Sequence, residues 1–373
     1  MLFHLGALWR LNQWGYLPRL DRVSSVSGGS IVAGALGEAW TRLAFGPDRI
    51  AAAFDAELVE PLRSLAGRTI DLPAVRRGLL APGTVNSRLS GAYRRLFGKA
   101  TLQDLPGPGQ GPRFVINATN LQSGALWRFS RPYIWDYRVG KIESPEIPLA
   151  EAVAASSAFP PFLSPARPRF SDSDFVPGTG DGLQRPPFTT RPVLSDGGVY
   201  DNLGLETAWK RYDTILISDG GGAMGAHDGG LGPLGWWRWR EWGSQTLRVL
   251  FTVDSQVRNL RKRQALSAFA SSGPEHRDGT YWGVRSDIGN YGLDDGLDCP
   301  VEATAGLADV PTRLKALDPV VQERLINWGY AICDAAMRKW VDDTLPPPTG
   351  FPYPDSGVGA EGAEPSSPPQ PRR

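Results

Sequence analysis

Residues 19–43, RLDRVSSVSGGSIVAGALGEAWTRL, contain the stretch that decides the fold. Its first part, residues 19–26, predicts a short β-strand. A Ser-Gly-Gly turn follows, and the apolar residues from about 30 to 43 predict a helix. Because further predicted strands at 113–130, 191–198 and 213–222 alternate with helices, we expect an α/β fold with a mostly parallel central sheet.

The turn in this stretch, Ser25-Val26-Ser27-Gly28-Gly29, places Ser27 between the strand and the helix. A nucleophilic serine on so sharp a turn usually stands in a G-x-S-x-G pattern, because the backbone folds back on itself. Gly29 fills the second glycine position, whereas Ser25 replaces the first and makes the turn more crowded. The helix dipole favours negative charge at Ser27, and the Gly28 N–H is placed to stabilise an oxyanion. An ordinary Gly/Ser turn with a serine helix cap is the alternative interpretation.

A second motif, Ser195-Asp196-Gly197-Gly198, ends another predicted strand. A carboxylate at the carboxyl end of a strand lies where the active sites of α/β proteins form. The two glycines allow the backbone to turn and present the Asp196 side chain. The alternative is a plain Asp-Gly turn, which is the commonest meaning of this dipeptide.

A serine nucleophile needs a base, and histidine is scarce in this chain. His4 lies on the first predicted helix, while His227 and His276 lie in polar loops, so packing or surface roles are expected for all three. An aspartate can act as the base if burial raises its pKa toward the working pH. The residues available therefore favour a dyad of Ser27 and Asp196.

The two motifs together resemble those of the patatin-like phospholipases. Further blocks are similar to that family and follow its order: LFHLGALWRLNQWGYLPRLDRVSSVSGGSIVAGAL (2–36), FGKATLQDLP (97–106), INATNLQSGALWRF (116–129), AVAASSAFPPFLSP (152–165) and LSDGGVYDNLGLE (194–206). The resemblance implies a three-layer α/β/α sandwich that hydrolyses lipid acyl esters, as a phospholipase A or lysophospholipase does, without histidine, metal or other cofactor. It assigns Ser27 as the nucleophile and Asp196 as the base. A thioesterase or peptidase-like acyl hydrolase with the same dyad stays open as an alternative.

One departure concerns the segment that precedes the first helix. The family carries a first strand and a glycine-rich loop there, and the loop supplies oxyanion donors. This sequence starts at Met1, already inside the matching helix, so we expect that strand and loop to be missing. Loss of one oxyanion donor typically lowers the rate by about 10²–10³. Either the natural protein begins further upstream, or the chain is a weakened or non-catalytic protein that binds lipid or a partner; we favour the first explanation.

The composition of the chain argues against several classes of protein. The 373 residues carry 40 Lys+Arg and 39 Asp+Glu, a net charge of +1, which argues against a nucleic-acid-binding protein. The two cysteines, Cys299 and Cys333, are too few for a disulfide framework. No apolar run is long enough to predict a transmembrane helix. We therefore expect a cytoplasmic or peripheral membrane protein.

The chain divides into two predicted parts. We expect residues 1–343 to form the patatin-like acyl hydrolase domain. Residues 344–373 contain nine prolines and four glycines with almost no aliphatic residues, and this composition predicts a disordered tail.

A cluster of tryptophan and arginine precedes the longest predicted helix. In the run GWWRWREW, residues 235–242, Trp236, Trp237 and Trp239 are candidates for contact with a membrane interface. Packing of these rings under the helix that follows is the slightly favoured alternative.

Overall fold

A computed structural model describes residues 1–69, 84–160, 163–221, 238–310 and 315–359. The strands are β1 (Arg22–Ser25), β2 (Arg113–Asn120), β3 (Ala125–Phe129), β4 (Tyr133–Asp136), β5 (Gly140–Glu143), β6 (Phe175–Val176), β7 (Leu194–Asp196), β8 (Thr214–Asp219) and β9 (Asp278–Gly283). The helices are α1 (Leu2–Gln13), α2 (Ser27–Ala39), α3 (Glu60–Ala66), α4 (Thr84–Phe97), α5 (Leu149–Ser156), α6 (Gly198–Asp201), α7 (Glu206–Trp209), α8 (Arg238–Ala270), α9 (Val301–Ala308) and α10 (Pro319–Trp340). Single turns of 3₁₀ or π helix occupy 17–19, 40–42, 55–59, 102–104, 172–174, 288–291 and 354–356.

Seven of these strands form one sheet, in the order β1-β2-β3-β4-β5-β6, with β7 paired to β2. Helices α2, α5 and α6 pack against β2, and seven of its eight residues are buried, so both faces of this strand are covered. The predicted α/β class, with a central sheet flanked by helices, is therefore confirmed.

The pairing within the sheet differs from the expected mostly parallel arrangement. Parallel pairing holds for β1 with β2 and for β8 with β9, which form a separate two-stranded sheet. The other pairings of the seven-stranded sheet are antiparallel. The reason is local, because short turns join β2, β3, β4 and β5, and only antiparallel neighbours can be joined so tightly.

Two strands meet end to end along one side of β2. Strand β1 pairs in parallel with the first half of β2, and its Ser25 lies opposite Ile116. Strand β7 pairs antiparallel with the second half, and its Asp196 lies opposite Ala118. The carboxyl ends of β1 and β7 therefore point at each other across Asn117, although about 170 residues of sequence separate them.

Helix α1 packs closely along α10. A Cβ atom on Gly6 would lie 1.9 Å from the carbonyl oxygen of Ile326, and one on Gly329 would lie 1.8 Å from that of Phe3. Only glycine fits at either position, since the two helix backbones touch there. No helix among the described residues is both long and apolar enough to cross a membrane.

The segment 344–359 differs from the expected disordered tail. The amide of Asn327 donates to the carbonyl of Tyr353 at 2.8 Å, and the guanidinium of Arg10 donates to the carbonyl of Pro346 at 2.7 Å. Polar side chains of α1 and α10 therefore hold the backbone of this segment, and its few apolar side chains, among them Val358 and Phe351, pack against the core. Residues 360–373 lie outside the described part, and the domain boundary at 343 stays a prediction.

Candidate active site

Ser27 occupies a strained turn between β1 and α2. Val26 is extended, with φ −138° and ψ 148°, whereas Ser27 has a φ of 51°. A positive φ costs a residue with a side chain on the order of 1–3 kcal/mol, so the surrounding structure must hold it. The Ser27 N–H donates to Oγ of Ser156 at 3.1 Å, and its carbonyl accepts from Oγ of Ser157 at 3.2 Å. The carboxyl end of α5 thus fixes the turn.

Ser27 and the two glycines after it form the start of the 13-residue helix α2. The N–H of Gly29 donates to the carbonyl of Val26 at 2.9 Å, closing the turn. Among the hydrogen bonds of the described residues, none uses the N–H of Gly28. This group lies at the positive end of the helix dipole, so it can donate to a negative oxygen formed beside Ser27.

Ser25 shows how the turn accommodates a residue other than glycine. Its side chain is buried, and its hydroxyl donates toward the carbonyl of Val115 in β2 at 3.4 Å. It also accepts from Oγ of Ser30 at 3.0 Å. The hydroxymethyl group is therefore accommodated by hydrogen bonds to β2 and to the first turn of α2.

Asp196 ends β7 and is 2% exposed. Its backbone carbonyl accepts from Oγ1 of Thr119 at 2.8 Å, and its Oδ1 accepts the N–H of Gly198 at 2.7 Å. Oδ2 is buried and makes no hydrogen bond of good geometry within the described residues. One oxygen of the carboxyl group is thus anchored, and the other is available.

Burial raises the pKa of Asp196 from 3.8 to about 7. The hydrogen bond from the Gly198 N–H and the nearby Ser27 side chain oppose this rise in pKa, and the charge of Asp254 adds to it. The Ser27 side chain is therefore close enough to affect the pKa of Asp196, although no hydrogen bond joins the two side chains among the described residues.

The path of the chain requires a glycine at Gly197 and leaves little space at Gly198. A Cβ atom on Gly197 would lie 2.3 Å from the carbonyl oxygen of Asn117 and 2.8 Å from Cγ1 of Val26. A Cβ atom on Gly198 would lie 3.1 Å from Oδ1 of Asp196. At Gly197 the Asp-Gly-Gly turn therefore fits against β2 and the Ser27 turn only without a side chain, whereas at Gly198 the space is tight.

Ser156 connects the parts of the site, and sequence reasoning did not single it out. Its hydroxyl donates to the carbonyl of Asn117 at 2.6 Å and accepts the N–H of Ser27. It also lies 2.8 Å from Oγ of Ser30. The only signal for it was the Ser-Ser pair in the block AVAASSAFPPFLSP, which carries no functional pattern of its own.

Helix α8 lies against the Asp196 turn. The amide of Asn202 donates to the carbonyl of Asp254 at 3.1 Å and to its Oδ1 at 3.3 Å. The ring of Phe251 stacks on that of Phe159 with 5.6 Å between centroids. Neither contact has a sequence signal, because the residues belong to elements far apart in the chain.

Tyr93 of α4 is another neighbour that the sequence did not reveal. It is buried, and its burial raises the pKa of its phenol to about 12, with the Asp196 charge acting in the same direction. The phenol therefore stays protonated at neutral pH beside the carboxyl group.

The described histidines do not supply a base to Ser27. Nδ1 of His4 lies 2.7 Å from Oγ of Ser218, and burial, with a smaller contribution from the Met1 amino group, lowers the pKa of His4 to about 3. His276 is exposed and lies 3.1 Å from Asp278. His227 lies outside the described residues.

The structure does not describe the tryptophan side chains predicted to contact a membrane interface. Trp236 and Trp237 lie outside the described residues, and Trp239 lies in α8 with a side chain that is also outside them. In the part of the chain that the structure describes, no group of three or more His, Cys, Asp or Glu side chains could hold a metal ion.

Comparison with known proteins identifies the family. The model of the patatin-like phospholipase family matches residues 1–209, a range that contains both Ser27 and Asp196. A search of curated proteins found no match. Because the matched range is more than half of the 373 residues, the chain belongs to the patatin-like phospholipase family, a family of lipid acyl hydrolases.

Proposed function

We propose that the protein hydrolyses acyl esters of lipids, in the manner of a phospholipase A or lysophospholipase, with Ser27 as nucleophile and Asp196 as base. One observation carries the proposal. The carboxyl ends of β1 and β7 meet across Asn117, and this places a serine on a strained turn beside a buried carboxyl group with one unbonded oxygen.

The first half of the reaction forms an acyl-enzyme. Oγ of Ser27 attacks the ester carbonyl while Oδ2 of Asp196 takes the hydroxyl proton. The carbonyl oxygen becomes negative and accepts the N–H of Gly28. When the tetrahedral intermediate collapses, the bond to the alcohol breaks, and the alcohol oxygen takes the proton from Asp196.

The second half releases the fatty acid. A water molecule attacks the acyl-enzyme carbonyl while Asp196 takes its proton. Collapse of the second intermediate breaks the bond to Oγ of Ser27, which recovers the proton from Asp196. The products are a carboxylic acid and the free enzyme.

The pKa of Asp196 supports this role. An ordinary aspartate, with a pKa near 3.8, is too weak a base to assist a serine hydroxyl well. Burial brings the pKa to about 7, so at neutral pH a useful fraction is ionised and each ionised group is a stronger base.

The test is labelling of the full chain with a fluorophosphonate, which reacts with activated serines, and location of the label by mass spectrometry. We expect the label on Ser27 and its loss in Ser27→Ala. Ser64→Ala, a change at an exposed serine of α3, is the matched control and keeps the label. A folded chain that takes no label, or takes it elsewhere, contradicts the proposal and favours a lipid-binding protein without catalysis.

A further inference from the structure

The outer surface of α8 carries a line of exposed apolar side chains. Val249, Val253 and Leu260 are 61%, 55% and 58% exposed. Spacings of four and seven residues place them on one face of a helix, over a length of roughly 16 Å. We call these three residues the α8 stripe.

The opposite face of α8 holds the helix against the protein. Phe251 stacks on Phe159, Asp254 receives hydrogen bonds from Asn202, and Ala265 is fully buried. Because these contacts fix the rotation of the helix about its axis, the α8 stripe is directed away from the core.

The stripe differs from the exposed apolar residues outside α8. Leu121, Val301 and Val320 are 52%, 44% and 40% exposed, and each belongs to a different segment of the chain. Single exposed apolar residues are ordinary on protein surfaces, whereas an aligned row on one helix indicates a contact surface.

The charge of α8 indicates the chemistry of the partner. Residues 238–270 contain seven Arg and Lys and two Asp and Glu, a net charge of +5, although the whole chain has a net charge of only +1. Arg258 and Arg261 lie on the inner face, where they pair with Asp254 and Glu206. Arg263 follows Leu260 by three residues, so it lies beside the α8 stripe on the outer face. Two copies of this helix would repel each other, which disfavours self-association through the stripe. An anionic lipid surface offers both negative headgroups and an apolar layer.

We propose that α8 docks the protein on an anionic lipid surface, with the α8 stripe inserted at the boundary between headgroups and acyl chains. The position of the helix fits this role. The same helix contacts the Asp196 turn on its inner face, so a docked membrane lies about one helix diameter, on the order of 10 Å, from that turn. The choice of a lipid surface rests on the proposed function, because lipid is the substrate there.

The experiment measures flotation of the full chain with vesicles of phosphatidylcholine alone and of phosphatidylcholine with 30% phosphatidylglycerol, at low and high salt. Ser27→Ala is present throughout, so that lipid is not consumed. We expect strong binding to the anionic vesicles, weaker binding to the neutral ones, and a decrease with salt. The variant V249D/V253D/L260D should bind the anionic vesicles at least about tenfold more weakly than the parent does.

The matched control is L121D/V301D/V320D, which adds the same three negative charges at exposed apolar positions elsewhere. We expect it to bind as the parent does. Equal loss in both triple variants, equal binding to neutral and anionic vesicles, or no vesicle binding at all overturns the proposal. A dimer of the parent that only the stripe variant abolishes also overturns it, since the stripe would then serve self-association.

A second readout separates this proposal from the hydrolase proposal. In the background with Ser27 intact, the stripe variant should hydrolyse a water-soluble short-chain ester at the parent rate, which also shows that it folds. If the parent hydrolyses no ester but the stripe still determines vesicle binding, the docking surface stands and the hydrolase proposal fails.

Discussion

Replacement of the buried carboxyl group by an amide, Asp196→Asn, should stabilise the protein while abolishing hydrolysis. The pKa of Asp196 rises from 3.8 to about 7 on folding because the group is buried. Each pH unit corresponds to about 1.4 kcal/mol, so the ionised carboxylate lowers the free energy of unfolding by about 4 kcal/mol. Asparagine keeps an oxygen for the Gly198 N–H and carries no charge.

The effect has a definite sign and pH window. The folded pKa lies above the unfolded one, so the folded chain binds more protons between about pH 4 and pH 7. The free energy of unfolding of the parent therefore falls as the pH rises through this window. The free energy of unfolding of Asp196→Asn should not fall in this way, because the amide does not ionise. The free energy of unfolding of Asp196→Asn minus that of the parent should increase by about 3 kcal/mol between pH 4.5 and pH 8.

The assay is urea unfolding followed by tryptophan fluorescence at pH 4.5, 6 and 8. Asp343→Asn, at an exposed carboxylate, controls for the change in net charge and should show no such growth. If the difference between Asp196→Asn and the parent is the same at all three pH values, the carboxyl group is not perturbed by burial. The reasoning that makes it the base then fails.

Three further changes test the same site. The kcat/KM for a soluble ester should fall about tenfold per pH unit below about pH 7, since a protonated Asp196 cannot accept the Ser27 proton; a flat profile down to pH 5 would contradict the assignment. Gly197→Ala should lower the free energy of unfolding by about 2 kcal/mol or more, because its Cβ would lie 2.3 Å from a carbonyl oxygen. In the same unfolding assay, Gly91→Ala, where a Cβ meets nothing within 4 Å, should be neutral or stabilising. Ser27→Gly should raise thermal stability by relieving a φ of 51° while abolishing fluorophosphonate labelling, and an unchanged or lower melting temperature would argue against strain at the turn.

The local features of this protein could be predicted from its sequence. The strand, turn and helix around Ser27 follow from hydrophobic periodicity and glycine placement, and the structure has β1 at Arg22–Ser25 and α2 at Ser27–Ala39. The sequence also placed Asp196 at the end of a strand. Such patterns depend on residues a few positions apart, so one sequence is enough to reveal them.

The pairing of the strands in the sheet could not be predicted from local sequence patterns. Alternating strands and helices suggested mostly parallel pairing, but the short turns after β2, β3 and β4 reverse the chain and give antiparallel neighbours. Similarly, the composition of residues 344–359 suggested disorder. Their carbonyls accept hydrogen bonds from Arg10 and Asn327, which no composition argument contains.

The sequence by itself therefore determined where the turns that present Ser27 and Asp196 lie, because each turn is built from adjacent residues. Only the tertiary structure decided that the two turns meet across Asn117, that Ser156 ties them together, and that α8 lies over them with an apolar line facing outward. The physical reason is that these contacts join elements distant in the chain. Their free energy comes from packing and burial in the folded state, and the same burial raises the pKa of Asp196 to about 7.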